Sequence, residues 1–315
     1  MSLKYLLTGS TGGLGAQILS YFTSHPNLIS PADFAASSSN PANRSKFESQ
    51  GIQFRVVNYD DPDTLEVAFQ GVENLLFVST NTFDVEKRRR QHGNVVDVAG
   101  RVGVKHIWYT SLAFGGFDST SQASVQQAHY MTEEMLRASG IPYTSLREGI
   151  YTECFPLFLN WYPSTKTIYL PTAASTGRIA FTLRSELAEA TARLLLRGAS
   201  SQNGNGIVLL TAKESISVNE IVEVINETTG RDVTVEYVDA EEYVRIHAES
   251  DEGGKSEGFF RQLVGWFEGI EKGELEVTHG LMAEVLGREA IGAREAIRGL
   301  LSRERDYVWH QNYAN

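Results

Sequence analysis

The chain has only one cysteine, Cys154, among its 315 residues. One thiol cannot form an internal disulfide, and a cysteine-based zinc site is excluded as well. The seven histidines show no metal-ligand spacing, so we expect no metal site. So little cysteine is typical of a reducing compartment, and without a histidine in its sequence context we interpret Cys154 as inert.

The sequence also lacks any apolar run near the ~18–20 residues of a membrane span, and its first residues do not resemble a signal peptide. We therefore expect a cytoplasmic protein that does not bind membranes.

Basic residues are the minority, because 28 Lys and Arg stand against 39 Asp and Glu, for a net charge of −11. Direct nucleic-acid binding is therefore not expected. We interpret the run EKRRR at 86–90 as the solvated face of a helix.

Short apolar runs alternate with helical patterns through the first half of the chain. The predicted strands are Lys4–Thr8, Ala32–Ala36, Gln53–Val57, Asn74–Ser79, His106–Thr110 and Tyr143–Leu146, followed later by Ile207–Thr211. The predicted helices are Gly13–Thr23, Pro41–Gln50, Asp63–Phe69, Val85–Val102, Ala123–Ser139, Arg184–Arg197 and Ser217–Gly230. This alternation predicts an α/β fold, a Rossmann-type doubly wound parallel sheet with helices on both faces.

The second half of the chain does not continue the alternation. Residues 151–177 are rich in aromatic residues and proline, and 231–315 are mostly helical in pattern. We therefore predict an NAD(P)-binding Rossmann domain over 1–155, with 178–212 packing back on it. A smaller, mostly helical C-terminal lobe over 156–177 and 213–315 is predicted to bind substrate.

The stretch TGSTGGLG follows the first strand and opens the first helix. Gly9 permits a tight turn, Gly12 lets the backbone approach a pyrophosphate, and Gly15 lets the helix pack closely on the strand. The amino terminus of the helix then faces the phosphates. The stretch predicts a nicotinamide dinucleotide site formed by Gly9, Thr11, Gly12, Gly13, Leu14 and Gly15.

The second strand indicates which dinucleotide is bound. NAD sites usually place Asp or Glu near the end of this strand, on the ribose 2′-hydroxyl, whereas here the sequence reads AASSSN at 35–40. Ser38 and Ser39 can donate hydrogen bonds to a 2′-phosphate, and Arg44 or Lys46 can neutralise it. NADP(H) is therefore favoured over NAD(H). The alternative is that both bases are ordinary surface charges.

Four segments together resemble the NmrA-like family, a branch of atypical short-chain dehydrogenases that includes quinone oxidoreductases of the second type. They are TGSTGGLG at 8–15, NYDDPDTLEVAFQGVENLLFVST at 58–80, QHGNVVDVAGRVGVKHIWYTSL at 91–112 and HYMTEEMLRASGIPYTSLREGIYTE at 129–153. The tail, from WFEGIEKGELE at 266–276 to YVWHQNY at 307–313, is similar to fungal members.

The resemblance implies NAD(P) at the glycine turn and adenine contacts from Asn58 and Tyr59. The chain departs from the family pattern at two positions. Family members usually carry Asp where Asn58 stands, and they often carry Arg near Ser39.

The acid–base pair of main-branch short-chain dehydrogenases, Tyr-x-x-x-Lys, is missing from its usual place. In related reductases its tyrosine falls on Val125 and its lysine on His129. His129 is predicted to contact the nicotinamide ribose or to donate a proton. The alternative is a helix-surface histidine capping against Glu133. A second spacing of this kind, from Tyr162 to Lys166, lies in a loop, and we interpret it as coincidence.

The carboxyl ends of parallel strands line the site in folds of this kind. Ser79, Thr80, Asn81, Thr110 and Gly149 are therefore predicted to contact the cofactor. Ser111 is a candidate for a hydrogen bond to a substrate carbonyl, or else a turn cap. Tyr151 is a candidate to close over the nicotinamide, or else an aromatic core residue.

Two functions follow from this sequence. The first is an NAD(P)H-dependent oxidoreductase that reduces a quinone or another conjugated carbonyl, with a fungal polyketide-type aromatic as one possible substrate class. The second is a non-catalytic regulator that senses NAD(P) and acts through a protein partner. The missing tyrosine favours the regulator, whereas the aromatic segment 151–170 favours the enzyme. A homodimer is compatible with both.

Overall fold

The structure is a computed structural model that describes residues 2–118, 120–198 and 205–309. The last residues of the tail motif, 310–313, lie outside the described residues. The chain divides into two compact units. The first unit consists of Met1–Ser111, Ala128–Glu148 and Ser185–Val208, and the second of Leu112–Gln127, Gly149–Arg184 and Leu209–Asn315.

The unit bounds differ from the predicted domain bounds mainly at Leu112–Gln127, which belongs to the second unit. Two hydrogen bonds within that unit account for the difference. The Gly115 N–H donates to the Glu274 carbonyl at 2.7 Å, and Trp266 Nε1–H donates to Ser124 Oγ at 3.2 Å. Substrate binding by this unit stays a prediction.

A seven-stranded sheet forms the centre of the fold, in the order β3-β2-β1-β4-β5-β6-β9. Its strands are β1 Leu3–Leu7, β2 Phe34–Ser38, β3 Gln53–Val56, β4 Val72–Phe77, β5 His106–Leu112, β6 Tyr143–Glu148 and β9 Asn205–Leu210. The pairs β1–β2, β2–β3, β1–β4 and β4–β5 are parallel. The order reverses between β1 and β4, which is the switch point where folds of this class bind ligands. The predicted Rossmann-type sheet is confirmed.

Helices connect the strands, as the sequence predicts. They are α1 Gly13–Ser24, α2 Arg44–Glu48, α3 Pro62–Phe69, α4 Val85–Val102, α5 Ser124–Ser139 and α7 Arg184–Arg197. The bounds of α4 and α7 match the prediction. Leu6, Phe77 and Tyr109 of the sheet are fully buried and form a core with Val95 and Leu136 of the helices. This apolar burial is the main force that holds the layers together.

The second unit holds two small sheets and six helices within the described part of the chain. The strands β7 Thr167–Pro171 and β11 Thr234–Val238 pair in parallel, and β8 Arg178–Ile179 and β10 Ile216–Ser217 pair antiparallel. The helices are α6 Phe155–Leu159, α8 Val218–Thr229, α9 Ala240–Ser250, α10 Glu257–Glu271, α11 Leu281–Leu286 and α12 Ala293–Arg303. Helix α8 begins with the predicted capping box, in which Ser217 and Glu220 bond each other's backbone N–H.

The second strand begins two residues later than predicted. Pro31–Asp33 forms a turn of 3₁₀ helix that the Ser30 side chain caps, so β2 starts only at Phe34. The strand also ends two residues later than predicted, at Ser38. Asp33 precedes its amino-terminal end. This placement leaves serine, and no acid, where β2 ends.

Among the described residues, no helix has both the length and the apolar character needed to cross a membrane.

Candidate active site

The turn between β1 and α1 has the geometry that a dinucleotide phosphate requires. Gly9 has a φ of +65°, which favours glycine, and its carbonyl accepts the Gly12 N–H at 2.9 Å. A Cβ at Gly15 would stand 2.3 Å from the Gly9 oxygen, so packing of α1 on the turn demands glycine there. A Cβ at Gly12 would meet nothing closer than 3.4 Å. Glycine at 12 is therefore not required by packing, as expected where backbone approaches a phosphate.

The start of α1 is open to a ligand. Gly12 is the N-cap of the helix and supplies no side-chain hydrogen bond to it. Thr11, Gly12 and Gly13 are exposed, whereas Leu14 and Gly15 are buried beneath them. The N–H groups of a first helical turn lack intrahelical acceptors and carry the positive end of the helix dipole. The residues of this turn therefore fit a dinucleotide pyrophosphate.

Tyr59 anchors the glycine turn to the neighbouring strand. Its hydroxyl lies 2.7 Å from Thr8 Oγ1 and donates to the Val78 carbonyl at 2.9 Å. Thr8 Oγ1 in turn accepts the Val78 N–H at 2.9 Å. Burial raises the pKa of the Tyr59 hydroxyl, so it stays protonated. The hydroxyl of Tyr59 thus fixes the ends of β1 and β4, and its adenine contact stays a prediction.

Serine hydroxyls hold the end of β2. The Ser37 hydroxyl donates to the Leu7 carbonyl at 3.1 Å and is fully buried. Ser38 Oγ accepts from the Asn40 N–H at 3.2 Å and from Asn43 Nδ2 at 3.0 Å. Because Ser38 accepts both bonds, its own proton remains to donate. The exposed Ser39 follows directly.

Arg44 and Asn58 have other partners in this structure. Arg44 donates to Glu48 at 2.8 Å and stacks over the Phe54 ring, with half of its side chain exposed. Asn58 Oδ1 accepts the Asp60 N–H at 3.1 Å and closes a tight turn. A surface pair such as Arg44–Glu48 contributes little energy and can open. The cofactor contacts of Arg44 and Asn58 stay predictions.

The loop after β4 is fixed through its backbone. The Ser79 N–H donates to Thr110 Oγ1 at 2.9 Å, and the Thr80 N–H donates to His92 Nε2 at 3.1 Å. Asn81 follows with an exposed side chain. The structure therefore places Ser79, Thr80 and Thr110 together at the carboxyl ends of β4 and β5, where cofactor contacts are predicted.

His92 is neutral and its tautomer is defined by its neighbours. Because Nε2 accepts from Thr80, the ring proton lies on Nδ1, which donates to Thr132 Oγ1 at 2.8 Å. Burial, followed by the charge of Arg88, holds the pKa of His92 well below its usual range.

Arg88, His129 and Tyr109 form a buried polar cluster beneath this loop. Arg88 Nη1 lies 3.3 Å from His129 Nε2, and His129 Nδ1 lies 2.8 Å from the Tyr109 hydroxyl. A guanidinium can only donate, so Nε2 accepts and Nδ1–H donates to Tyr109. Burial first, and Arg88 second, holds the pKa of His129 well below its usual range. His129 is therefore neutral, with both nitrogens engaged.

The interpretation of 86–90 as a solvated face is wrong for Arg88. Arg89 and Arg90 are exposed and pair with Glu86 and Asp60. Arg88 is 5% exposed and donates through Nη2 to the Thr82 carbonyl at 2.9 Å. The spacing of Arg88 could have predicted its burial, because Arg88 lies one helical turn before His92 on the buried face of α4. A surface position for His129 is also wrong, since its side chain is 6% exposed.

Glu133 is the centre of a second buried network. Its carboxylate forms an ion pair with Arg147 at 2.6 Å, in which neither side chain is more than 3% exposed. Oε1 also accepts from Ser111 at 2.8 Å and from Ser145 at 2.5 Å. The Ser111 proton is thereby committed to Glu133. Sequence reasoning missed this network, although a charged residue inside the apolar strand β6 was a signal for it.

Tyr151 and Gly149 belong to the second unit. Tyr151 is half-buried, and its carbonyl accepts the Cys154 thiol at 2.9 Å. Burial raises the pKa of Cys154, which matches the expected lack of reactivity. A Cβ at Gly149 would stand 2.4 Å from Thr182 Oγ1, so packing alone requires glycine there.

Tyr162 is not paired with Lys166 within the described residues. Val125 lies in the first turn of α5, where the acid–base tyrosine is expected. The Tyr162 hydroxyl donates to Asp251 at 2.7 Å and accepts from Lys255 of the following segment. Among the described residues, no group of three or more potential ligands is placed to hold a metal.

Comparison with known proteins places this fold among the Rossmann-type reductases. The chain is 54% identical over 314 residues to the NmrA-like family domain-containing oxidoreductase flvB of Aspergillus flavus, and the alignment covers 99% of both chains. It is 30% identical to quinone oxidoreductase 2 of Escherichia coli, covering 94% of this chain and 98% of that protein. The structure of Citrobacter sp. triphenylmethane reductase complexed with NADP(H) superposes with a TM-score of 0.80 at 28% identity, covering 94% and 99% of the two chains.

The NmrA-like family model matches residues 1–289. The chain therefore belongs to the NmrA-like family, and the resemblance seen in the sequence is confirmed.

Proposed function

We propose that this protein is an NAD(P)H-dependent oxidoreductase that transfers hydride to a quinone or another conjugated carbonyl. The observation that carries the proposal is the start of α1. Packing does not require glycine at position 12, and no side chain caps the helix there, so a ligand has room at this end. The flvB oxidoreductase of A. flavus, similar over 99% of both chains, supports a catalytic function.

The cofactor would be held by the first unit. The N–H groups of Thr11 and Gly13 would face the pyrophosphate, Gly12 would leave room for it, and Ser79 and Thr80 would border the nicotinamide half. Ser38 and Ser39 donate to the ribose 2′ substituent. Because no acid stands there to repel a phosphate, we favour NADP(H), and the NADP(H) complex of the Citrobacter reductase supports this choice.

The bound cofactor supplies the hydride, and the side chains of this protein supply position. Of the predicted catalytic residues, His129 has both nitrogens engaged and Ser111 donates its proton to Glu133. Arg88 therefore acts as a positioning residue that holds the Thr82 carbonyl, and His129 contacts Arg88. Tyr151 is the remaining predicted residue, and we assign it a contact with substrate. Such a site suits a strongly electrophilic acceptor, since hydride transfer to a quinone depends more on orientation than on a strong acid.

The test is oxidation of NADPH and NADH by purified protein with a panel of neutral quinones, followed by the absorbance of the reduced cofactor. We expect turnover with NADPH that a Gly12→Val variant loses together with cofactor binding. Tight cofactor binding with no turnover of any acceptor would overturn the enzyme proposal and favour the NAD(P)-sensing regulator. Measurement of the sedimentation coefficient with and without NADPH tests for a homodimer.

A further inference from the structure

Arg184 contacts two aromatic rings in the second unit. The guanidinium carbon lies 6.0 Å from the centre of the Tyr151 ring and 5.9 Å from the centre of the Trp309 ring. Arg184, Tyr151 and Trp309 are all partly exposed. Both ring contacts are cation–π contacts, in which the face of the ring attracts the charge without accepting a conventional hydrogen bond from the N–H groups.

The donors of this guanidinium are not used within the described residues. Nε is buried without a hydrogen-bond partner there. The backbone N–H of Arg184 donates to Glu153 Oε2 at 3.2 Å. The nearby Glu153 carboxylate thus caps the start of α7 and does not pair with the guanidinium within 4 Å.

Other arginines of the second unit differ from Arg184. Arg231 also stacks on a ring, that of Trp161, but it forms an ion pair with Asp306. Arg261 pairs with Glu241. Arg184 also lies in the first turn of α7, where a cation is disfavoured by the helix dipole. Its position is therefore not explained by the electrostatic stability of the helix.

We propose that Arg184 is the anion-binding residue of the substrate site, selecting planar aromatic substrates that carry an ionised group such as a carboxylate or an ionised phenol. The planar fork of a guanidinium matches two oxygens of such a group. The rings of Tyr151 and Trp309 provide flat apolar surface for the aromatic body of the same ligand. This inference rests on the proposed function in that the ligand is the substrate being reduced.

The test compares two acceptors of similar shape, neutral 2-methyl-1,4-naphthoquinone and anionic 1,4-naphthoquinone-2-sulfonate. For Arg184→Met we expect KM for the sulfonate to rise about tenfold or more, the loss of one charge-assisted contact. KM for the neutral quinone and Kd for NADPH should change by less than about twofold. Arg184→Lys should restore part of the preference, because it keeps the charge without the fork.

Arg231→Met is the matched control, since it removes a stacked arginine of the same unit that already has a carboxylate partner. It should leave the ratio of the two KM values unchanged. An equal rise of both KM values in Arg184→Met would overturn the proposal and indicate a structural contact. A rise in Kd for NADPH alone would also overturn it, because Arg184 would then bind a cofactor phosphate.

Binding of naphthalene-2-sulfonate, followed by tryptophan fluorescence in the presence of NADP⁺, separates this proposal from turnover. If naphthalene-2-sulfonate binds more weakly to Arg184→Met than to wild type, and wild type turns over no quinone, the anion site is supported and the proposed oxidoreductase activity is contradicted. Equal binding to wild type and variant, or no binding to wild type, would overturn the anion site. Arg184→Gln provides a second variant if Arg184→Met fails to fold.

Discussion

Nη1 of Arg88 lies 3.3 Å from Nε2 of His129 in the interior of the first unit. The contact fixes the protonation state of the histidine, because a guanidinium cannot accept a hydrogen bond. Arg88 also donates to the Thr82 carbonyl, so one buried cation fixes both the histidine and the loop. A positive charge thus lies beside His129, the position that the sequence predicts to correspond to the lysine of related reductases.

Arg88→Met should let His129 titrate closer to pH 6.5, because the variant removes the second cause of its lowered pKa while burial remains. Histidine NMR signals followed against pH measure this change. We also expect kcat for NADPH oxidation to fall about tenfold as the loop loses its anchor, with part of the loss restored in Arg88→Lys. The exposed neighbour Arg89→Met is the control and should change neither quantity. An unaltered His129 titration in Arg88→Met would contradict the role of Arg88.

Alanine at the glycines of the turn should separate packing from ligand binding. Gly15→Ala places a methyl group 2.3 Å from the Gly9 oxygen, so it should lower the melting temperature and weaken NADPH binding together. Gly12→Ala meets no close contact and should keep the melting temperature while weakening NADPH binding. Gly93→Ala, within α4 and free of contacts, should instead stabilise the fold by about 0.5–1 kcal/mol. Full NADPH affinity in Gly12→Ala would mean that the phosphates lie elsewhere.

Ser111→Ala tests whether this hydroxyl serves the substrate or the fold. Because it donates to the buried Glu133 carboxylate, we expect a loss of about 1–3 kcal/mol in the free energy of unfolding and little change in kcat. Glu133→Gln is the comparison and should cost about 3–5 kcal/mol, since it removes the negative charge from the buried ion pair with Arg147. Urea unfolding gives both values. A kcat loss of about tenfold or more in a fully folded Ser111→Ala would restore the catalytic role.

Ser39→Asp should reverse the cofactor preference. A carboxylate at the end of β2 repels a 2′-phosphate and accepts a ribose 2′-hydroxyl, as in NAD sites. We expect the ratio of the KM values for NADPH and NADH to rise at least about tenfold, measured with one neutral quinone. Ser30→Asp, at the cap of the 3₁₀ turn that precedes the same strand, is the control. An unchanged ratio would mean that the 2′ position is recognised elsewhere.

Acid should destabilise this protein through its buried histidines. Burial lowers the pKa of His92, His106, His129 and His247, that of His106 to about 4. Between about 4 and 6.5 the unfolded chain therefore binds more protons than the native protein, so stability falls as pH falls through this window. Each such group contributes at most about 1.4 kcal/mol per pH unit. His106→Gln should flatten the dependence of urea stability on pH, and an equally steep profile would contradict the assignment.

Local sequence determined much of the first unit. The period of the apolar residues in α4 and α7 fixed both ends of these helices, because amphipathic spacing and caps act within one element. TGSTGGLG predicted the turn for the same reason, since the needs for a positive φ at Gly9 and for close approach at Gly15 are local. The strand β7 was missed because its aromatic and proline-rich segment has no clear period.

Only the tertiary structure decided the interior of the site. Arg88 lies in a run of charged residues, which by itself predicts an exposed helix face. Its burial follows from how α4 packs on the sheet. The proton of Ser111 is committed by Glu133 and Arg147, which come from two other elements. The charge state of a side chain depends on neighbours distant in sequence, because desolvation and partners set its pKa. Sequence thus predicted where a dinucleotide binds, and packing decided which of the surrounding groups still have a proton to donate.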